Sequence, residues 1–123
     1  MKNYQKQSYD LEERTAKFGE DIIILCKNIS RTDITSPLIR QIIRSGTSVG
    51  ANYLEANGAS SKKDFRNKIF ICKKEAQETK HWLRMLAKAQ ENNKDEIRRL
   101  WQEAKELSMI FHSITKTIDT KQK

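Results

Sequence analysis

Apolar residues recur at intervals of three and four along four stretches of the chain, the period of an amphipathic helix rather than the alternation of a strand. Leu11, Thr15, Phe18, Ile22, Leu25 and Ile29 step this way and predict a first helix over about 10–30. Ser36 before Pro37 reads as a cap followed by a first helical position, where proline's missing N–H is harmless. The second helix then runs over 36–56, with Leu38, Ile39, Ile42, Ile43, Gly46, Val49, Gly50, Tyr53 and Leu54 as its apolar face, and Asn57-Gly58 as its stop. Ser61 with Asp64 three residues on resembles a capping box, with Asp shorter than the usual Glu or Gln. It opens a third helix over 61–90, whose seam is Phe65, Ile69, Cys72, Ala76, Thr79, Leu83 and Leu86. Asn92 and Asn93 break the pattern, and Asn93 to Glu96 caps a fourth helix over 94–119. There Ile97, Leu100, Trp101, Ala104, Leu107, Phe111, Ile114 and Ile118 face inward. Short links between long amphipathic helices predict one all-α domain spanning 1–123, an antiparallel up-down-up-down four-helix bundle.

Composition agrees: one proline, four glycines and 33% charged residues in 123 suit a helical protein with a single core. No apolar run approaches the roughly 18 residues that span a membrane. Met1 to Gln7 contains no apolar signal core, so the expected location is cytoplasmic, with no membrane partner. Cys26 and Cys72 fall on predicted core faces and read as reduced core thiols. The net charge of +8 is uneven: residues 59–91 hold nine basic residues against four acidic, whereas residues 1–35 balance at six and six. The positive field therefore belongs mostly to the third helix.

On that helix Lys62, Arg66, Lys73, Lys80, Arg84 and Lys88 share a stripe of roughly 80°. Lys63 and Lys74 flank it, and Phe70, Gln77 and His81 lie on or beside it. A cationic stripe with an aromatic in reach is suited to tracking a phosphate backbone and stacking a base, so RNA or DNA is a candidate partner. A solvated lysine face that serves only solubility uses the same residues. No base-reading motif is present, so any recognition would be of shape or charge.

Another face of the third helix carries Ile71, Trp82 and Met85, which predict a subunit or protein-partner contact unless they cover the edge of a wide seam. On the second helix Arg44, Ser48, Ala51 and Glu55 share a face, and Gly46, Gly50 and Ala51 would let another helix approach closely. Arg44 and Glu55 are about 16 Å apart along the axis, too far to pair, and Glu75 and Glu78 are the partners expected for Arg44. Glu78 with His81 makes half of a di-iron motif, but the second copy is missing because Met109 precedes His112 by three. Two histidines and no Cys-x-x-Cys leave no structural zinc set, and no nucleophile–base constellation or phosphate loop is visible. The expectation is a non-enzymatic protein without metal or cofactor.

The run from Arg44 through Ser48, Ala51, Asn52 and Glu55 to Ala56, followed by Ser61-Lys62-Lys63-Asp64-Phe65, resembles the bacterial four-helix-bundle proteins encoded by intervening sequences within 23S ribosomal RNA genes. The likeness follows nearly the whole chain in helix order, and its specific part is about 20 residues long. Tyr53-Leu54 stands where Ile-Ala is common, Ala56 replaces a usual glycine, and Lys73 to Glu78 is more charged than the family's small-residue stretch. The resemblance implies an up-down bundle that assembles into a homopentamer, with no enzyme activity. It makes Arg44, Ser48, Asn52 and Glu55 a structural motif. A related branch, the accessory variability determinant of diversity-generating retroelements, forms a basic barrel that binds nucleic acid and a reverse transcriptase.

Overall fold

The computed structural model describes the backbone of residues 2–121 and the side chains of residues 10–121. Within them lie four helices and no strand: α1 (Lys2–Lys27), α2 (Thr35–Asn57), α3 (Lys62–Ala89) and α4 (Lys94–Lys121). Successive helices pack side by side, α1 on α2, α2 on α3 and α3 on α4, and α4 closes back on α1 along a lighter contact. This is the four-helix bundle that the periodicity predicts.

The predicted seams are the core. Leu11, Thr15, Phe18, Ile22, Leu25 and Ile29 on α1 and its exit are all buried, as are Ile69, Cys72, Ala76, Thr79, Leu83 and Leu86 on α3. Tyr53 and Phe111, both buried, meet with ring centroids 6.1 Å apart. Leu54 departs from the expectation: it is exposed, because it lies about 100° round the helix from Tyr53 and outside both neighbours' reach.

Three helix ends differ from their predicted form. α1 begins at Lys2 rather than near Asp10, because nothing between them breaks a helix and only the apolar seam starts at Leu11. At α2 the N-cap position is Ile34, and the side-chain bonds at this end come from the preceding turn, not from Ser36: Thr32 Oγ1 accepts from Thr35 N at 3.0 Å while Thr35 Oγ1 accepts from Thr32 N at 2.9 Å. Thr35 is buried and also donates to Ser30 O at 2.7 Å, so this reciprocal pair anchors the α1–α2 link as well. Gly58 closes α2 with φ −98°, whereas the left-handed residue is Asn93, φ 63°, in the turn before α4. Asn93 Nδ2 donates to Asn28 O at 3.4 Å across the bundle end instead of capping its own helix. Ser61 caps α3 as expected, accepting from Asp64 N at 3.0 Å, and the short Asp64 carboxylate reaches back to Ser60 N at 3.4 Å.

Glycines draw α1 and α2 together. A Cβ at Gly46 would lie 2.9 Å from Ile22 Cγ1, and one at Gly50 would lie 3.3 Å from the Thr15 backbone. The small residues of α2 therefore serve a helix of the same chain, while Ala51 stays exposed. Between α2 and α3 the hydroxyls of Ser45 and Thr79 lie 2.9 Å apart, and each also reaches a carbonyl one turn back on its own helix. No described buried side-chain nitrogen or oxygen lacks a partner. Cys26 and Cys72 are free and buried, and burial pushes their thiols up to about 11 and about 12.

Candidate nucleic-acid interface

The charged stripe of α3 lies along the edge of the bundle shared with α4. Arg66 donates two hydrogen bonds to Asp119, at 2.6 and 3.0 Å, and this pairing holds the Arg66 guanidinium's proton more firmly still. Seven residues on in α3 and seven back in α4, Lys73 Nζ lies 3.1 Å from His112 Nδ1. Seven further in each helix, Lys80 and Lys105 both sit over the Trp101 ring, 5.2 and 5.8 Å from its centroid. These rungs repeat about every 10.5 Å along the groove. They are symmetric in sequence about the Asn92–Asn93 turn, which sets the antiparallel register of the two helices.

The remaining predicted stripe residues behave differently. Arg84 and Lys88 are exposed toward the far end of α3. Lys62 is exposed at the start of α3 and shares a separate groove with Ser60, Ser61, Phe65, Ile118 and Lys121. Sequence reasoning on α3 alone missed the α4 contribution of Trp101, Lys105, His112 and Lys116. The signal was present in the seven-residue spacing of Lys105, His112 and Asp119 and in the position of the α3–α4 turn.

A groove of about 390 Å³ runs between the Arg66 and Lys73 rungs, bordered by Phe70, His112, Thr115, Lys116 and Asp119. Phe70 is half-exposed on its rim, with Lys73 Nζ 5.8 Å from the ring centroid. The surface thus offers cations, a ring face and hydrogen-bond donors along one line.

The α2 motif is built differently. Arg44 Nη1 lies 3.2 Å from Glu75 Oε2, its Nη2 bonds Glu78, and its Nε reaches Gln41 at 3.4 Å. The expected partners are thus the observed ones. Ser48 Oγ donates to Arg44 O at 2.6 Å and Asn52 Nδ2 donates to Ser48 O at 2.8 Å, so both back-bond their own helix. Glu55 pairs across to Lys68 at 3.6 Å. Of these, the Arg44 and Glu55 pairs tie α2 to α3.

Ile71, Trp82 and Met85 are half-buried, and Trp82 packs against the core while meeting His81 edge-on at 5.0 Å. The large apolar side chains left exposed among the described residues are Ile23, Ile24, Ile34, Leu54, Phe70 and Met109. Glu78 is engaged by Arg44, and no described group of His, Cys, Asp and Glu has the arrangement of a metal site. No described helix is long and apolar enough to cross a membrane.

This helical architecture matches a family. The sequence model of the 23S rRNA-intervening sequence protein family matches residues 7–116, and the chain belongs to that family. The chain is similar to the crystal structure of a protein of unknown function from the S23 ribosomal protein family of Bacteroides thetaiotaomicron VPI-5482. The two are 32% identical with a TM-score of 0.77, over 86% of this chain and 98% of the other. No curated protein matches.

Proposed function

We propose that this protein is a non-enzymatic, oligomeric bundle that associates with RNA or other nucleic acid through the α3–α4 edge. The observation that carries this reading is the ladder of Lys73–His112 and Lys80–Trp101–Lys105, cations held beside aromatic rings at a regular spacing. The family description's reference to 23S rRNA is in keeping with it. Repetition of the edge around an oligomer would join several weak contacts into one multivalent surface, raising avidity by about 10² or more where geometry permits.

Counterion release would supply most of the binding free energy, so affinity should fall steeply with salt. The test is anisotropy of a mixed-sequence RNA at 50 and 200 mM salt, with light scattering to read the mass against the 14.4 kDa subunit. Lys73→Glu with Lys80→Glu should abolish binding without changing that mass. Equal affinity at the two salt concentrations, or normal binding by the double variant, would overturn the reading.

A second reading is a scaffold for a protein partner, favoured by the partial exposure of Trp82 and Met85 beside the Arg44–Glu78 groove. In it the basic edge serves solubility only, and Trp82→Ala should break the oligomer or the partner complex.

A further inference from the structure

We propose that Phe70 is a stacking platform for an unpaired nucleobase, so that the α3–α4 groove takes single-stranded rather than duplex nucleic acid; this rests on the reading above. Phe70 is 49% exposed, although the other apolar side chains of α3 lie on its seam or are half-covered. An aromatic ring left in water at the mouth of a groove gains free energy by covering its face, at about 25 cal/mol per Å². The surroundings select what covers it. Lys73 lies 5.8 Å from the ring centroid, Lys116 borders the same groove, and the carboxylate there, Asp119, is held in two hydrogen bonds by Arg66. An apolar peptide would have to desolvate the lysines without pairing them. A nucleotide presents a flat π-face to Phe70 and a phosphate to Lys73 and Lys116 in one unit.

Strand state follows from the same geometry. Inside a duplex both faces of a base are already stacked, and the deep, narrow major groove of A-form RNA excludes side chains. Phe70 can therefore cover its face only with a base that is free. The ring offers no hydrogen bond, so stacking there is tolerant of base identity. Trp101 is not an equivalent platform, because it packs against the core and carries two lysines, Lys80 and Lys105, over its ring, whereas Phe70 is exposed and carries one, Lys73.

The experiment uses the full chain and a short oligoadenylate RNA with one central 2-aminopurine, single-stranded or annealed to its complement. Fluorescence and anisotropy are read at 50 mM salt for wild type, Phe70→Leu and Phe70→Trp. The expected result is quenching of the single strand by wild type, a loss on the order of tenfold in single-strand affinity for Phe70→Leu, and retention in Phe70→Trp. Duplex affinity should be weaker in wild type and unchanged by either substitution. If wild type binds and Phe70→Leu binds the single strand equally well, stacking is refuted while the cationic edge stands. If wild type binds neither form, the nucleic-acid reading fails and this proposal with it.

Discussion

Arg44 on α2 grips Glu75 on α3 at 3.2 Å, and Glu75 is the one charged side chain among the described residues that is buried. A buried carboxylate is stable only while paired, so this contact is a condition of packing α2 on α3 rather than an ornament of it. Arg44→Ala leaves Glu75 without its cation and should lower stability by about 2 kcal/mol, less than a fully buried pair because Arg44 itself is half-exposed. Urea denaturation checks this, and adding Glu75→Gln should recover part of the loss. A single variant as stable as wild type would show that Glu75 reaches water.

The glycine crossing makes a steric prediction. Gly46→Ala places a Cβ 2.9 Å from Ile22 Cγ1 and 3.3 Å from Ile22 Cβ, and Ile22 is fully buried and branched at that carbon. The overpacking should cost about 1–3 kcal/mol, read as a drop in Tm, and in an Ile22→Ala background, which lacks both γ-carbons, the same substitution should cost less. Helix propensity alone predicts a gain from the same substitution, so the sign decides between them.

Both thiols carry a pH dependence. Burial pushes Cys26 to about 11 and Cys72 to about 12, so the folded state keeps protons that the unfolded chain releases near 8.5–9. Their contribution is intact below pH 8 and is lost as pH rises through the folded-state values, by at most about 1.4 kcal/mol per pH unit per thiol. The urea midpoint should therefore fall between pH 8 and 10, with a shallower fall in Cys72→Ala. Iodoacetamide at pH 8 should label the native protein far more slowly than the urea-unfolded chain.

The rungs of the α3–α4 edge are not equal. Asp119 offsets the charge of Arg66. Removing Arg66 should therefore weaken RNA binding less than removing Lys73. Asp119→Asn should instead raise affinity several-fold at 50 mM salt and steepen the salt dependence, because one fewer negative charge faces the phosphates. Anisotropy titrations of the three variants test this ordering, and weaker binding by Asp119→Asn would place the nucleic acid elsewhere.

Much of this was legible in the chain. The seam from Leu11 to Ile29 and that from Phe65 to Leu86 gave the core nearly residue by residue, because periodicity reports which side chains share a helix face. Leu54 was misplaced because an apolar arc wider than its neighbours looks the same in sequence as one they cover. The Thr32–Thr35 pair was missed because the Ser36-Pro37 signal is locally stronger, and only the buried position of Thr35 rewards the earlier start.

The sequence by itself determined four amphipathic helices, their seams, the α3 charge stripe and the pairing of Arg44 with Glu75 and Glu78. All of these follow from spacing within a helix, or from charges that the short α2–α3 link brings level. Only the tertiary structure decided that α4 joins the cationic edge, that Phe70 borders a groove while Trp101 is covered, and that Gly46 and Gly50 serve α1. The reason is rotational: a helix wheel fixes angles within one helix, whereas the turn of each helix against its neighbours is set by how the core side chains interlock.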